Sequence, residues 1–178
     1  MLRAALCCAL VLLATSARAS SPSPYAGQKA REIKALSPEE ISDYLSGKGM
    51  GLAKAAELNG YPGPVHVLDL ATQLGLTPEQ RAATEALFQK MQQRAMALGR
   101  ELVEAEGALD RLFASHAASS EAVKVSLTRI ARLQGELRQV HLDAHLEQAA
   151  VLTAAQITTY ARLRGYDVGP VHDGRHRH

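Results

Sequence analysis

LTPEQRAATEALFQKMQQRAMALGRELVEAEGALDRLF, residues 76–113, decides the fold. Its first five residues spell a helix start. Leu76 is placed as a hydrophobic staple, Thr77 as the N-cap and Pro78 as the first helical residue, where its missing N–H leaves no bond unmade. Gln80 is the third-position partner that closes a capping box. Behind this start, Leu87, Met91, Leu98, Leu102, Ala105, Leu109 and Leu112 recur at steps of three, four or seven. That spacing draws one apolar stripe along a helix from about Pro78 to Phe113.

A second stripe follows in Val123, Leu127, Ile130, Leu137, Val140 and Ala144, predicting a helix from about Glu121 to Ala150. The linker SHAASS is short, so the two helices pack antiparallel as a hairpin. The start motif then returns as LTAAQ, with Leu152 as staple, Thr153 as cap and Gln156 as capping-box partner of a last short helix ending near Leu163. Upstream, LSPEE repeats the same grammar: Ser37 caps, Pro38 opens and Glu40 reciprocates. The glycines of GKGMG at 47, 49 and 51 interrupt that helix. Short helices are expected over Leu52 to Leu58 and Val65 to Leu74, separated by the stiff NGYPGP turn. The expected class is therefore all-α: an antiparallel helical hairpin, residues 36–164, with short flanking helices.

The chain's start combines Arg3, an apolar run from Ala4 to Ala14 and the small residues ARA at 17–19. It reads as a signal peptide, 1–19, since the run falls short of the roughly 20 residues a membrane span needs. Cleavage after Ala19 removes both cysteines, Cys7 and Cys8, and with them disulfides and thiolate chemistry. Neither cysteine follows a small residue, as acylation would require. Arg3 and Arg18 leave as well, so 18 basic residues face 18 acidic ones. With no basic field, no nucleic-acid partner is expected. Residues 20–35 read as a flexible leader and 165–178 as a disordered, histidine-containing tail.

Chemistry concentrates in the histidines. His141 and His145, in HLDAH, are four apart and project from neighbouring turns of one helix face. Two readings stand: half-buried polar residues at the hairpin edge, or a pair sharing a metal ion. Further ligands could come from His66, Glu57, Glu147, Met50, Met91 or Met96. A thioether favours copper(I), and a His and Glu set suits zinc, nickel or cobalt. The spacing matches part of a zinc-protease helix, but Leu142 stands where that motif needs its glutamate base. A second metal tract is His172, His176 and His178 in the tail. With no GxSxG, no phosphate loop and no cysteine, binding rather than catalysis is expected. The apolar faces admit two uses: a core completed by a dimer seam, or a groove for unfolded clients containing Met91 and Met96 and edged by Arg81, Lys90, Arg94 and Arg100.

The paired LTPEQ and LTAAQ, each opening a helix in an exported, aromatic-poor chain, resemble the LTxxQ family of periplasmic proteins. This family includes Spy/CpxP-like chaperones, ZraP-like zinc-responsive proteins and CnrX-like metal-sensing domains, and the resemblance covers Leu36 to Leu163. It implies a kinked four-helix hairpin that dimerises into a curved cradle in the periplasm. From the metal-sensing branch it carries the histidines ahead of the second repeat onto His141 and His145. The stretch Gly49 to Ala71 also resembles the N-terminal part of periplasmic heavy-metal sensors, but their N-terminal histidine pair is missing and His66 stands alone. A neutral mature chain departs from the basic cradle of the Spy-like members. The function implied is metal-responsive or envelope-stress binding without catalysis. Its alternatives are an ATP-independent chaperone of unfolded envelope proteins and an adaptor to a membrane sensor or anti-sigma partner.

Overall fold

Capping chemistry and apolar spacing generate six α-helices in the computed structural model, which describes residues 23–166. They are α1 Pro38–Ser46, α2 Lys54–Glu57, α3 Pro64–Asp69, α4 Pro78–Ala114, α5 Ser120–Val151 and α6 Ala154–Leu163. A 3-10 turn, Gln28–Ala30, lies in a separate short unit, and the helices belong to the unit that begins at Arg31. The expected signal peptide, the start of the leader and the tail histidines lie outside the described residues. Among the described residues there is no strand, and no helix is long and apolar enough to cross a membrane.

The long helices α4 and α5 pack on each other, α1 and α3 lie on α4, and α2 lies on α5. Ala95, Leu98, Leu102 and Ala105 of α4 meet Ile130, Leu133 and Leu137 of α5 in the central core. A second cluster lies where the two LT motifs meet, formed by Val67, Leu74, Leu152 and Tyr160 with Leu76 and Ile157. Leu76 joins this shared cluster because the fourth residue of its own helix is the exposed Arg81, which cannot serve as a staple.

Three differences from the expected pattern have physical causes. On α5 the buried set is Ile130, Leu133, Leu137, His141, Ala144 and Gln148, while Leu127 is half exposed. Toward the hairpin tip the flanking layer ends where Ile33 approaches Gly107 and Lys34 bonds Asp110, leaving Phe113, Val125 and Leu127 in solvent. Helix α3 stops at Asp69 rather than Leu74, and a turn carries the chain on to Gly75 at φ +59°. Helix α2 is one turn long, because Gly51 before it and Gly60 after it both take left-handed φ.

All three predicted capping boxes form, on Ser37 and Glu40, Thr77 and Gln80, and Thr153 and Gln156. The two glutamine boxes also bond to each other. Gln80 Nε2 donates to Gln156 Oε1 and Gln156 Nε2 donates to Gln80 Oε1, both at 2.9 Å. Each amide's second N–H goes to a backbone carbonyl just ahead of the other motif: Gln80 to Val151 at 3.0 Å and Gln156 to Leu74 at 3.3 Å. Each Oε1 still accepts the N–H of its own cap residue. One turn further in, the buried Gln148 donates to Thr84, whose hydroxyl donates to the Gln80 carbonyl. The repeated pentapeptide thus clamps the open end of the hairpin.

Close backbone contact sets α1 on α4. Gly99 faces the Tyr44 carbonyl so tightly that a methyl there would lie 2.7 Å from the carbonyl carbon. Gly47 ends α1 at φ +69° against the Gln92 carbonyl and Met96. The loop that follows forms one wall of a cavity.

Candidate functional site

A cavity of about 620 Å³ lies between the 46–66 segment and the facing sides of α4 and α5. Its walls collect His66, Glu57, Met50 and Met91 together with His141 and His145. Of the other proposed helpers, Glu147 points to solvent and pairs with Lys90 at 3.4 Å, and Met96 packs at Gly47. Neither lines the cavity.

His145 shows an ordered tautomer. Its Nδ1 lies 2.7 Å from the Tyr61 carbonyl oxygen, which can only accept, so Nδ1 carries a proton and, in the neutral ring, the lone pair is on Nε2. The ring lies so close to Gly63 that a methyl there would sit 3.0 Å from Nε2. The NGYPGP turn therefore does two jobs: the Tyr61 carbonyl orients the imidazole and Gly63 makes room for it.

His141 is 4% exposed, and its Nε2 is buried with no hydrogen-bond partner. Burial, and then the neighbouring His145, push its pKa below the usual imidazole range, so the ring is neutral. A neutral imidazole is the metal-binding form. The sequence left this ring either half-buried or a ligand; its place in the buried series 130, 133, 137, 141, 144 makes it a core residue facing a cavity.

Glu57 was the helper with the richest surroundings. Its Oε1 accepts from the Tyr160 hydroxyl at 2.6 Å and the Tyr166 hydroxyl at 2.8 Å, with Arg164 Nε at 3.4 Å. Its Oε2 accepts the Gly63 N–H at 3.2 Å and lies 3.7 Å from His145 Nδ1. Burial raises the carboxyl's pKa, but the two phenols, with His145 and His66, outweigh it and hold the group ionised below its usual range. Tyr160, 2% exposed, is pushed far above the usual phenol range by burial and by this carboxylate. Sequence reasoning missed Tyr160, Arg164 and Tyr166, which reach Glu57 from about a hundred residues away and obey no local spacing.

His66 sits at the cavity edge with Nδ1 3.6 Å from Asp69. Among the described residues, no three His, Cys, Asp or Glu side chains converge closely enough to hold a metal ion. The donors that share the space are the imidazoles of His66, His141 and His145, the Glu57 carboxylate and two thioethers, Met50 and Met91. Met50 adopts a left-handed φ of +46°, a conformation that costs a non-glycine residue about 1 kcal/mol. Strain of this kind, in a cavity wall, is characteristic of functional loops.

A hairpin of two long helices with imidazoles facing a cavity suits a binding protein. A family model described as heavy-metal resistance matches residues 62–158, more than half of the chain, and the protein belongs to that family. No curated protein and no solved structure is significantly similar to it.

Proposed function

We propose that the protein is an exported, periplasmic, metal-responsive binding protein of the LTxxQ type, acting as a dimer, with His141 and His145 as its primary ligands. The observation that carries this reading is the pairing of two prepared imidazoles. His145 is fixed by a carbonyl in the tautomer that leaves Nε2 free, and the buried, neutral His141 lies one turn away. Such outer-sphere orientation is how metal-ligating histidines are usually held. Membership of a heavy-metal-resistance family supports the same reading.

The thioethers of Met50 and Met91 in the same walls favour a soft ion, cuprous copper first, with zinc, nickel or cobalt requiring Glu57 or a second protomer. Bound metal would shift the population of cavity conformers and so alter the surface shown to a regulatory partner. A second reading, capture of unfolded envelope proteins, is favoured by the exposed Phe113, Val125 and Leu127 at the hairpin tip.

The test is titration of Zn²⁺, Ni²⁺ and Cu²⁺ by calorimetry, and of Cu⁺ against a chromophoric chelator, into the chain carrying H172A, H176A and H178A. Saturable binding with integral stoichiometry, weakened at least tenfold by His145→Gln, is expected. Absence of bound metal, or equal binding by the His145→Gln variant, would overturn the assignment. Suppression of client aggregation without metal would then support the second reading.

A further inference from the structure

The cavity is much larger than a metal ion and its ligands need, and lies within the roughly 300–1,000 Å³ range of small-molecule sites. We propose that it also binds a monomeric amphipathic carboxylate of the medium-chain fatty-acid class. The acyl chain lies against Leu58, Phe88 and Met91, and the carboxylate meets Lys54 at the rim. This inference is independent of the metal reading.

The walls define the apolar part. Ala53, Leu58, Val65, Phe88, Met91 and Ala144 line the space together with Met50. A small hydrophilic anion would leave those walls unused, while an apolar chain removes them from water.

The charges define the head group. Among the described residues three Lys or Arg side chains line the cavity: Lys48, Lys54 and Arg164. Lys48 is neutralised by Asp43 at 2.5 Å, and Arg164 by Glu57. Among the described residues Lys54 has no ion pair, and its side chain runs over Gly51, where a methyl would be 2.9 Å from Cε. An organic cation, which cannot use imidazole or thioether lone pairs as a metal ion can, finds little counter-charge here: among the described residues Glu57 is the one carboxylate lining the cavity, and it is already held by two phenols, a backbone N–H and a guanidinium. A neutral apolar ligand would make no use of Lys54. A carboxylate on an alkyl chain uses both parts of the site.

The experiment is calorimetric titration of decanoate, octanoate and decanol, each below its self-association limit, into the full chain after treatment with a chelator, so that the result does not depend on metal binding. One decanoate per chain is expected, with octanoate about fifteenfold weaker, since each buried methylene is worth roughly fourfold in affinity. Decanol should bind at least tenfold more weakly than decanoate. Lys54 is exposed, so Lys54→Glu should keep the helical circular dichroism, weaken decanoate about tenfold and leave decanol unchanged. Val65→Glu, at the partly exposed mouth, should weaken decanoate comparably. The proposal is overturned by the absence of saturable binding, by equal affinities for octanoate and decanoate, or by binding that neither substitution alters.

Discussion

Replacing Gln80 with glutamate separates two explanations of the repeated pentapeptide. If Gln80 serves only to close the capping box on Thr77, glutamate should do as well or better. Glu40 fills the same position on Ser37, and a negative charge in the first turn of α4 would add about 0.3–1 kcal/mol through the helix dipole. The observed geometry predicts the opposite sign. Gln80 Nε2 donates to the Val151 carbonyl at 3.0 Å and to Gln156 Oε1 at 2.9 Å. Glutamate removes both donations, each worth about 1 kcal/mol, and sets an acceptor against two acceptors in a partly buried site, at a cost of about 1–3 kcal/mol. After the dipole gain, Gln80→Glu should destabilise the fold by about 3 kcal/mol, a fall in Tm of roughly 6–12 °C. Urea unfolding followed by far-ultraviolet circular dichroism measures the change, and the slope against denaturant should stay constant. Acidification below about pH 4.3, where the introduced carboxyl regains a proton and one donor, should narrow the gap to the parent chain. Stability at or above that of the parent at neutral pH would refute the amide-pair reasoning.

Two helical glycines should respond to alanine with opposite signs. Gly99→Ala drives a methyl into the Tyr44 backbone and should cost about 3 kcal/mol or more, whereas Gly135→Ala, with open space around it, should gain about 0.8–1 kcal/mol; thermal unfolding of each decides. His141 sets a pH dependence. Its folded pKa is depressed, so only the unfolded chain takes up a proton as pH falls through about 6.5, and the stability contributed by the neutral ring is whole above that pH and lost below it. His141→Leu should flatten the stability profile between about pH 6.5 and the carboxylate range and raise stability by about 1 kcal/mol through loss of an unpartnered buried nitrogen. A profile unchanged by the substitution would place the titrating group elsewhere.

The helices were legible because their signals are local. A cap, a proline and a reciprocal side chain lie within five residues, and α4 begins at Pro78 and ends one residue beyond the expected Phe113. The same signals could not reveal that Gln80 and Gln156 bond each other, because a capping box is satisfied without a second box. The α5 stripe was legible in part. Val140 and His141 are adjacent, and apolarity favoured Val140 for the core, although steps of four from Leu133 through Leu137 lead to His141. The cavity lay further beyond reach. Met50, Glu57, His66 and Met91 were available as helpers, but their gathering depends on the NGYPGP turn bringing Tyr61 and Gly63 to His145. Nothing in that turn names its partner on α5.

Glu57 has a consequence for the order in which the molecule comes apart. Its carboxylate binds Tyr160 and Tyr166 across 103 and 109 residues, and Tyr160 also receives the Gly63 N–H across 97. Contacts that close such long loops form late and are released early, while the central hairpin closes through a five-residue linker. One charged group is shared by the 57–63 turn, the end of α6 and the segment after it, so none of these can leave without stranding the others' hydrogen bonds. The backbone amides of α2, α3 and α6 should therefore exchange with solvent as one cooperative unit, at a lower free energy than those of α4 and α5. The cavity then opens as a whole, by a sub-global unfolding event, while the hairpin beneath it stays folded.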